Sequence, residues 1–196
     1  MEKLAVAILA WFAAQDASWI ECGHRYTEQE ARGRAEWYAG QVSQGGTRWP
    51  APESGWWMVA VMANESGFDG CALGPRVRER QDLPWKLTRA GALRALGRLR
   101  KPACVGVAQW AWPVNGIGKE EALDAAQGVS RLARAMPGYL ADCRRRFPRG
   151  VKLAGRRRPC EEVYWVFHNV SWVNVRFYRG VKLQERRMNH GKDEQT

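Results

Sequence analysis

The sequence predicts a mainly α fold. Strand signals are few, and several long stretches repeat apolar residues at helical spacing. Composition supports a packed globular body: 45% of the 196 residues are hydrophobic, enough to bury a core without staples. The length suits one domain, or one domain with an appended arm. Eleven residues are Trp, a rigid, amphipathic side chain that either fills a core or lines a binding surface.

Leu4 to Ala14 is an apolar run of eleven residues. It has the length of a signal-peptide core and is too short to span a bilayer. Glu2 and Lys3 cancel ahead of it, and no small-x-small cleavage pattern follows. Leu4, Ile8, Trp11 and Phe12 share one helical face, which favours a docking helix over a signal-like segment. Residues 1–27 are set apart on that account from a main domain at 28–188 and a polar tail at 189–196. No other stretch is apolar enough to cross a membrane.

Residues 28–43 read as an amphipathic helix with Ala31, Ala35, Tyr38, Ala39 and Val42 inward, capped by a Thr27/Glu30 box. Residues 44–55 read as a loop. Ser54 to Glu65 is apolar on nearly every face and predicts a buried central helix, ended by Gly67 and Gly70. Residues 71–85 read as a loop, and 86–100 as a short basic helix inside on Leu87, Leu93, Leu96 and Leu99, stopped by Pro102. Residues 105–118 mix aromatics, Gly and Pro around Gln109. A long helical stretch at 119–146 is expected to break at Pro137-Gly138. A basic loop (147–158) and a last helix (160–178, with Val163, Val166, Phe167 and Val170) follow.

The net charge of +11 is concentrated. Residues 76–101 carry nine basic and two acidic side chains, and residues 144–158 carry eight basic and none acidic. The remainder is slightly acidic. Such segments suit a polyanionic partner, either nucleic acid or anionic polymers and lipids of a bacterial envelope, or else they are solvated surface. They hold no nucleic-acid recognition motif. Five cysteines without a C-x-x-C pair, and three histidines, argue against a metal site. Cys71 and Cys104 bracket the first basic segment, and Cys143 and Cys160 the second. The expectation is two disulfides tying these segments down, with Cys22 odd, or else buried free thiols.

Glu65 is the residue that stands out. It ends an otherwise apolar helix, where desolvation and the negative end of the helix dipole both raise a carboxyl pKa. A carboxylic acid still protonated near neutral pH is what general-acid catalysis on an ether oxygen needs. The alternative is a surface Glu at a helix end.

Ala63-Asn64-Glu65-Ser66-Gly67-Phe68 resembles the Glu-Ser motif of the soluble lytic transglycosylases, a branch of the lysozyme superfamily. Three further features follow in that family's order. Gly106-Val107-Ala108-Gln109 is similar to its Gly-Leu-Met-Gln segment. Leu123 to Val129 is similar to its Asp-Pro-x-x-Asn helix start, with Ala for Pro and Gln127 for Asn. Phe167-His168-Asn169, with Arg176 and Tyr178 downstream, resembles its Tyr-Asn motif, with Phe167 where Tyr is usual. The resemblance covers about residues 28–185 and implies a lysozyme-like helical domain with a basic insertion between the first two motifs, since Glu65 and Gln109 lie far apart.

The resemblance also implies a chemistry: cleavage of the bond between N-acetylmuramic acid and N-acetylglucosamine in peptidoglycan, without cofactor or metal. Glu65 serves as acid and then as base while the muramyl 6-hydroxyl closes a 1,6-anhydro ring. Ser66 orients the carboxylate, and Gln109, Trp110, Phe167, His168 and Asn169 flank the sugar. Tyr164 is the candidate to replace the hydroxyl lost at Phe167. Trp110 and Trp112 either stack on sugar rings or pack in the core, and a lone His is more often structural. A carboxylate such as Asp69 holding a water would make the protein a lysozyme-like hydrolase. A lapsed, polyanion-binding domain is the reading from another class. Either enzyme would work in the cell envelope, as a periplasmic, secreted or phage-delivered protein.

Overall fold

The computed structural model describes residues 2–15, 19–44, 54–84, 86–99, 102–112, 117–168 and 174–190. Helix accounts for 65% and strand for 9%, so the fold is mainly α. The N-terminal apolar run forms α1 (Glu2–Ala13), which buries Leu4, Ala7, Ile8, Trp11 and Phe12. This is the face its spacing marks, and it lies on α2 (Glu28–Gln44), whose inward residues are the five expected. Between the two helices, β1 (Ile20–Glu21) pairs antiparallel with β2 (His24–Arg25). The capping box closes: Thr27 N–H donates to Glu30 Oε2 at 2.7 Å, and Glu30 N–H donates to Thr27 Oγ1 at 3.3 Å.

The central helix is α3 (Ser54–Glu65), in which every residue from Trp57 to Ala63 is buried. A helix with no polar face must be wrapped on all sides. Here α1, α2, α7 (Ala125–Arg146) and α9 (Val175–His190) surround it. Past Glu65 the chain reverses through Gly67 (φ 64°) and Phe68 (φ 59°). Phe68 is fully buried, and its ring meets Trp11, Phe12 and Tyr38 edge-on, with centroids 5.1–5.4 Å away. That packing holds a bulky residue in a left-handed conformation it would otherwise avoid.

Several segments differ from expectation. Residues 71–85 are not all loop, because Pro75–Gln81 forms α4 with Pro75 in its first turn, where the missing N–H costs nothing. The basic helix α5 is Arg89–Gly97, capped by Thr88 Oγ1, which accepts from Gly91 N–H at 3.1 Å. Ala103–Val105 (β3) and Trp110–Trp112 (β4) form a hairpin, and Val105 also bridges Leu73. After α6 (Lys119–Ala122), α7 runs through Pro137 without a break. Its long buried face, from Ala125 to Cys143, offsets the lost hydrogen bond. The basic loop contains a second hairpin, β5 (Val151–Leu153) with β6 (Arg156–Arg158), turned by Ala154 and Gly155 at positive φ. The expected last helix ends early as α8 (Cys160–Val163) and a 3₁₀ turn (Tyr164–Phe167). The helix running to His190 is α9.

The disulfides are Cys22–Cys71 and Cys143–Cys160. The second is the expected pair. The first replaces Cys71–Cys104 and leaves Cys104 free, because β1 and β2 bring Cys22 against the turn after α3. The larger core surrounds α3. A smaller one, built on Leu73, Val77, Leu87, Leu96, Val105 and Leu123, lies under the basic insertion.

α9 approaches α3 closely at Gly180, where a Cβ would collide with the side chain of Asn64. We expect Gly180→Ala to lower stability by about 1–3 kcal/mol in chemical denaturation. An unchanged midpoint would show that this crossing has slack.

Candidate active site around Glu65

Glu65 lies where the two cores meet. It borders a cavity of about 240 Å³ lined by Asn64, Ser66, Asp69, Leu73, Arg78 and Gln109 among others. It also borders a second cavity of about 310 Å³, whose walls include Trp11, Trp19, Lys86, Gln184 and Arg187. Burial pushes the Glu65 pKa up to about 7. Among the described residues its carboxyl has no hydrogen-bond or ion-pair partner. It is therefore a half-protonated acid at neutral pH with both oxygens uncommitted.

Asp69, four residues on, is held differently. Its Oδ1 accepts from the N–H groups of Cys22 and Cys71, both at 2.9 Å. Its Oδ2 is buried, with Lys86 Nζ at 3.5 Å. Burial raises its pKa against the opposing pull of Lys86 and the two N–H groups. Glu21, also buried, is gripped by Arg34 through two bonds of 2.8 Å. Tyr38 hydroxyl lies 3.0 Å from Glu21 and 2.9 Å from the Phe68 carbonyl, fixing the turn beyond Glu65. The sulfurs of Cys22 and Cys71 lie near Asp69 but are bonded to each other, so they offer no thiolate to a metal.

The other residues singled out in the sequence support the site rather than face the Glu65 carboxyl. Ser66 does not orient Glu65: its hydroxyl is 2.7 Å from the Val107 carbonyl and 3.2 Å from that of Met62, so its proton ties the 106–109 turn to α3. Gln109 is buried at the cavity wall with φ 50°. Its amide donates to the carbonyls of Ala72 (3.1 Å) and Gly106 (3.0 Å), leaving no donor for a sugar. Trp110 sends its indole N–H to the Gly128 carbonyl at 3.3 Å and packs edge-on to His168, 5.2 Å between centroids. Phe167 is buried and stacks on Phe147. Tyr164 cannot replace the missing hydroxyl, since its OH is 2.6 Å from Ser54 Oγ, and eleven residues of helix place Ser54 roughly 16 Å from Glu65. Asn169 lies outside the described residues.

His168 is buried between Ala108 and Tyr139. Its Nε2 donates to the Ala108 carbonyl at 2.7 Å, since a carbonyl only accepts, and Nδ1 then accepts from Tyr139 hydroxyl at 3.1 Å. Burial lowers its pKa to about 4. Sequence reasoning missed Trp11, Trp19, Lys86, Gln184 and Arg187. Their spacing marks helix faces or loops, and only tertiary packing brings them to one wall.

Compared with known proteins, the chain matches no family model, no curated protein and no solved structure.

Two opposite pH dependences follow. Unfolded Glu65 ionises near 4.5 and folded Glu65 near 7, so its contribution to stability is complete below 4.5 and is lost as pH rises through 7. We expect Glu65→Gln to match the parent at pH 4 and to exceed it by about 3 kcal/mol at pH 8 in urea denaturation. Equal stabilities at both values would place the carboxyl in water. His168, with its pKa lowered from 6.5 to about 4, acts in the other direction. Its contribution is present above 6.5 and lost as pH falls towards 4. The stability gap between parent and His168→Gln should shrink by about 3 kcal/mol between pH 7 and pH 4. A constant gap would mean that the ring titrates normally.

Proposed function

We propose that the chain cuts the glycan strands of bacterial peptidoglycan, with Glu65 as its single catalytic acid and base, in a lysozyme-like domain of the lytic transglycosylase type. The observation that carries this reading is the Glu65 carboxyl itself. It is desolvated, has no partner among the described residues, stays half protonated near pH 7 and opens onto two adjoining cavities. The acid protonates the bridging oxygen and the bond to C1 of the muramyl sugar breaks. The resulting carboxylate then takes the proton of that sugar's 6-hydroxyl, whose oxygen closes on C1. The sugar supplies its own nucleophile and no water is consumed, one of the routes outside the two-carboxylate scheme.

The neighbouring acids support a non-hydrolytic outcome. A hydrolase of the inverting kind needs a second carboxylate free to hold a water. Asp69 is committed to two backbone N–H groups and buried beside Lys86, and Glu21 is committed to Arg34. The two disulfides suit an oxidising compartment, in keeping with a place of action in the envelope. Among the described residues no helix is long and apolar enough to cross a membrane.

Purified peptidoglycan digested with the parent protein should yield 1,6-anhydro-muramyl ends by mass analysis. Activity should fall as pH rises through about 7, and Glu65→Gln should lose a factor of roughly 10² or more. Reducing ends would assign hydrolysis. No product from a folded parent protein would remove glycan cleavage and leave the polyanion-binding reading.

A further inference from the structure

Both basic segments pair part of their charge, the first through Lys86 with Asp69 and Arg89 with Glu120. In the second, Arg144 pairs with Glu161, Arg145 with Asp142 and Arg158 with Glu162. In the first, Arg76, Arg80 and Arg98 have no acidic partner among the described residues and line one groove of about 850 Å³. Its apolar lining includes Val77, Leu99 and Pro102. α4 joins this groove to the catalytic cavity: Pro75 borders both, Arg78 faces the cavity, and Arg76 and Arg80 face the groove.

We propose that this groove holds the carboxylate-bearing peptide stem attached to the glycan strand at Glu65. The inference rests on the glycan-cleavage reading for the identity of the strand. The chemistry selects a short acidic peptide in three ways. Guanidinium groups bind carboxylates through paired hydrogen bonds. The groove volume lies in the range of pockets that enclose a compact ligand. Its apolar floor suits small aliphatic side chains. Single-stranded nucleic acid is held largely by stacking on aromatic rings, and among the described residues no aromatic side chain lines the groove. The basic insertion thus reads the substituent that distinguishes peptidoglycan from an unsubstituted glycan, beside the residue that cuts.

Cys104 is the free thiol, exposed and at the groove's edge, so it serves as a reporter. Its reaction with a disulfide reagent is followed without reductant, with both disulfides intact. The probes are a synthetic stem tetrapeptide, the same peptide with its carboxylates amidated, and a single-stranded oligonucleotide of equal charge. The free-acid peptide should slow the reaction severalfold at saturation and the amidated peptide should not. An Arg80→Ala, Arg98→Ala protein with unchanged thermal melting should bind the acid peptide on the order of tenfold or more weakly. Equal protection by the amidated peptide, protection by the oligonucleotide alone, or no protection would each overturn the proposal. Because binding is read without cleavage, the two readings fail separately. Glycan cleavage without stem binding removes only the groove's role, and stem binding without glycan cleavage removes only the catalytic reading.

Discussion

The burial of α3 on every side sets the terms for the rest of the molecule. Seven consecutive residues, Trp57 to Ala63, are withdrawn from water, which at roughly 1.5–3 kcal/mol per large apolar side chain is a main source of stability. The polar groups at each end must then find partners inside the protein. At the start, Ser54 meets Tyr164. At the finish, Ser66 contacts the Met62 and Val107 carbonyls, and the turn through Gly67 and Phe68 is held by Tyr38. Glu65 is the one ionisable group of this helix and sits where the wrapping opens. Its raised pKa follows from the same burial that stabilises the helix.

A second consequence concerns the polar residues nearby. Ser66, Gln109 and His168 each spend their donors on backbone carbonyls: Val107, Ala72 with Gly106, and Ala108. Three side chains from three parts of the chain thus fix one turn, residues 106–109, against the end of α3. A buried turn leaves backbone carbonyls without water, and each must be matched. Ser66 and Gln109 share a cavity with Glu65, but the work of their donors is to hold its wall.

Elements with strong periodicity were legible. The inward face of α2 matches residue for residue, that of α1 contains the four expected residues with Ala7 added, α3 is buried as its composition requires, and the Thr27/Glu30 box closes. What escaped are features decided by turns and long-range pairing. The β5–β6 hairpin depends on Ala154 taking a positive φ, which Ala does not advertise. Pro137 is a break signal that a long buried face overrides. Cys22 pairs with Cys71 because a two-residue strand pair brings it there, across 49 positions. At the site, Glu65 was legible because a lone acid in an apolar helix is a local signal. Trp11, Trp19 and Arg187 on its cavity wall were not, since nothing local marks them.

The wall that holds Trp11 also holds Gln184, and the indole N–H of the one donates to the amide oxygen of the other at 2.8 Å, across 173 positions. That wall is complete only when α9 is in place: Trp11 already meets Phe12 and Phe68, but its indole N–H gains a partner only when Gln184 docks. One wall of the cavity beside Glu65 is therefore assembled from α1 and α9, elements far apart in the sequence. Without α9 the second cavity beside Glu65 would lose the part of its wall built on Gln184 and Arg187, so the two ends of the chain must meet before that cavity is closed.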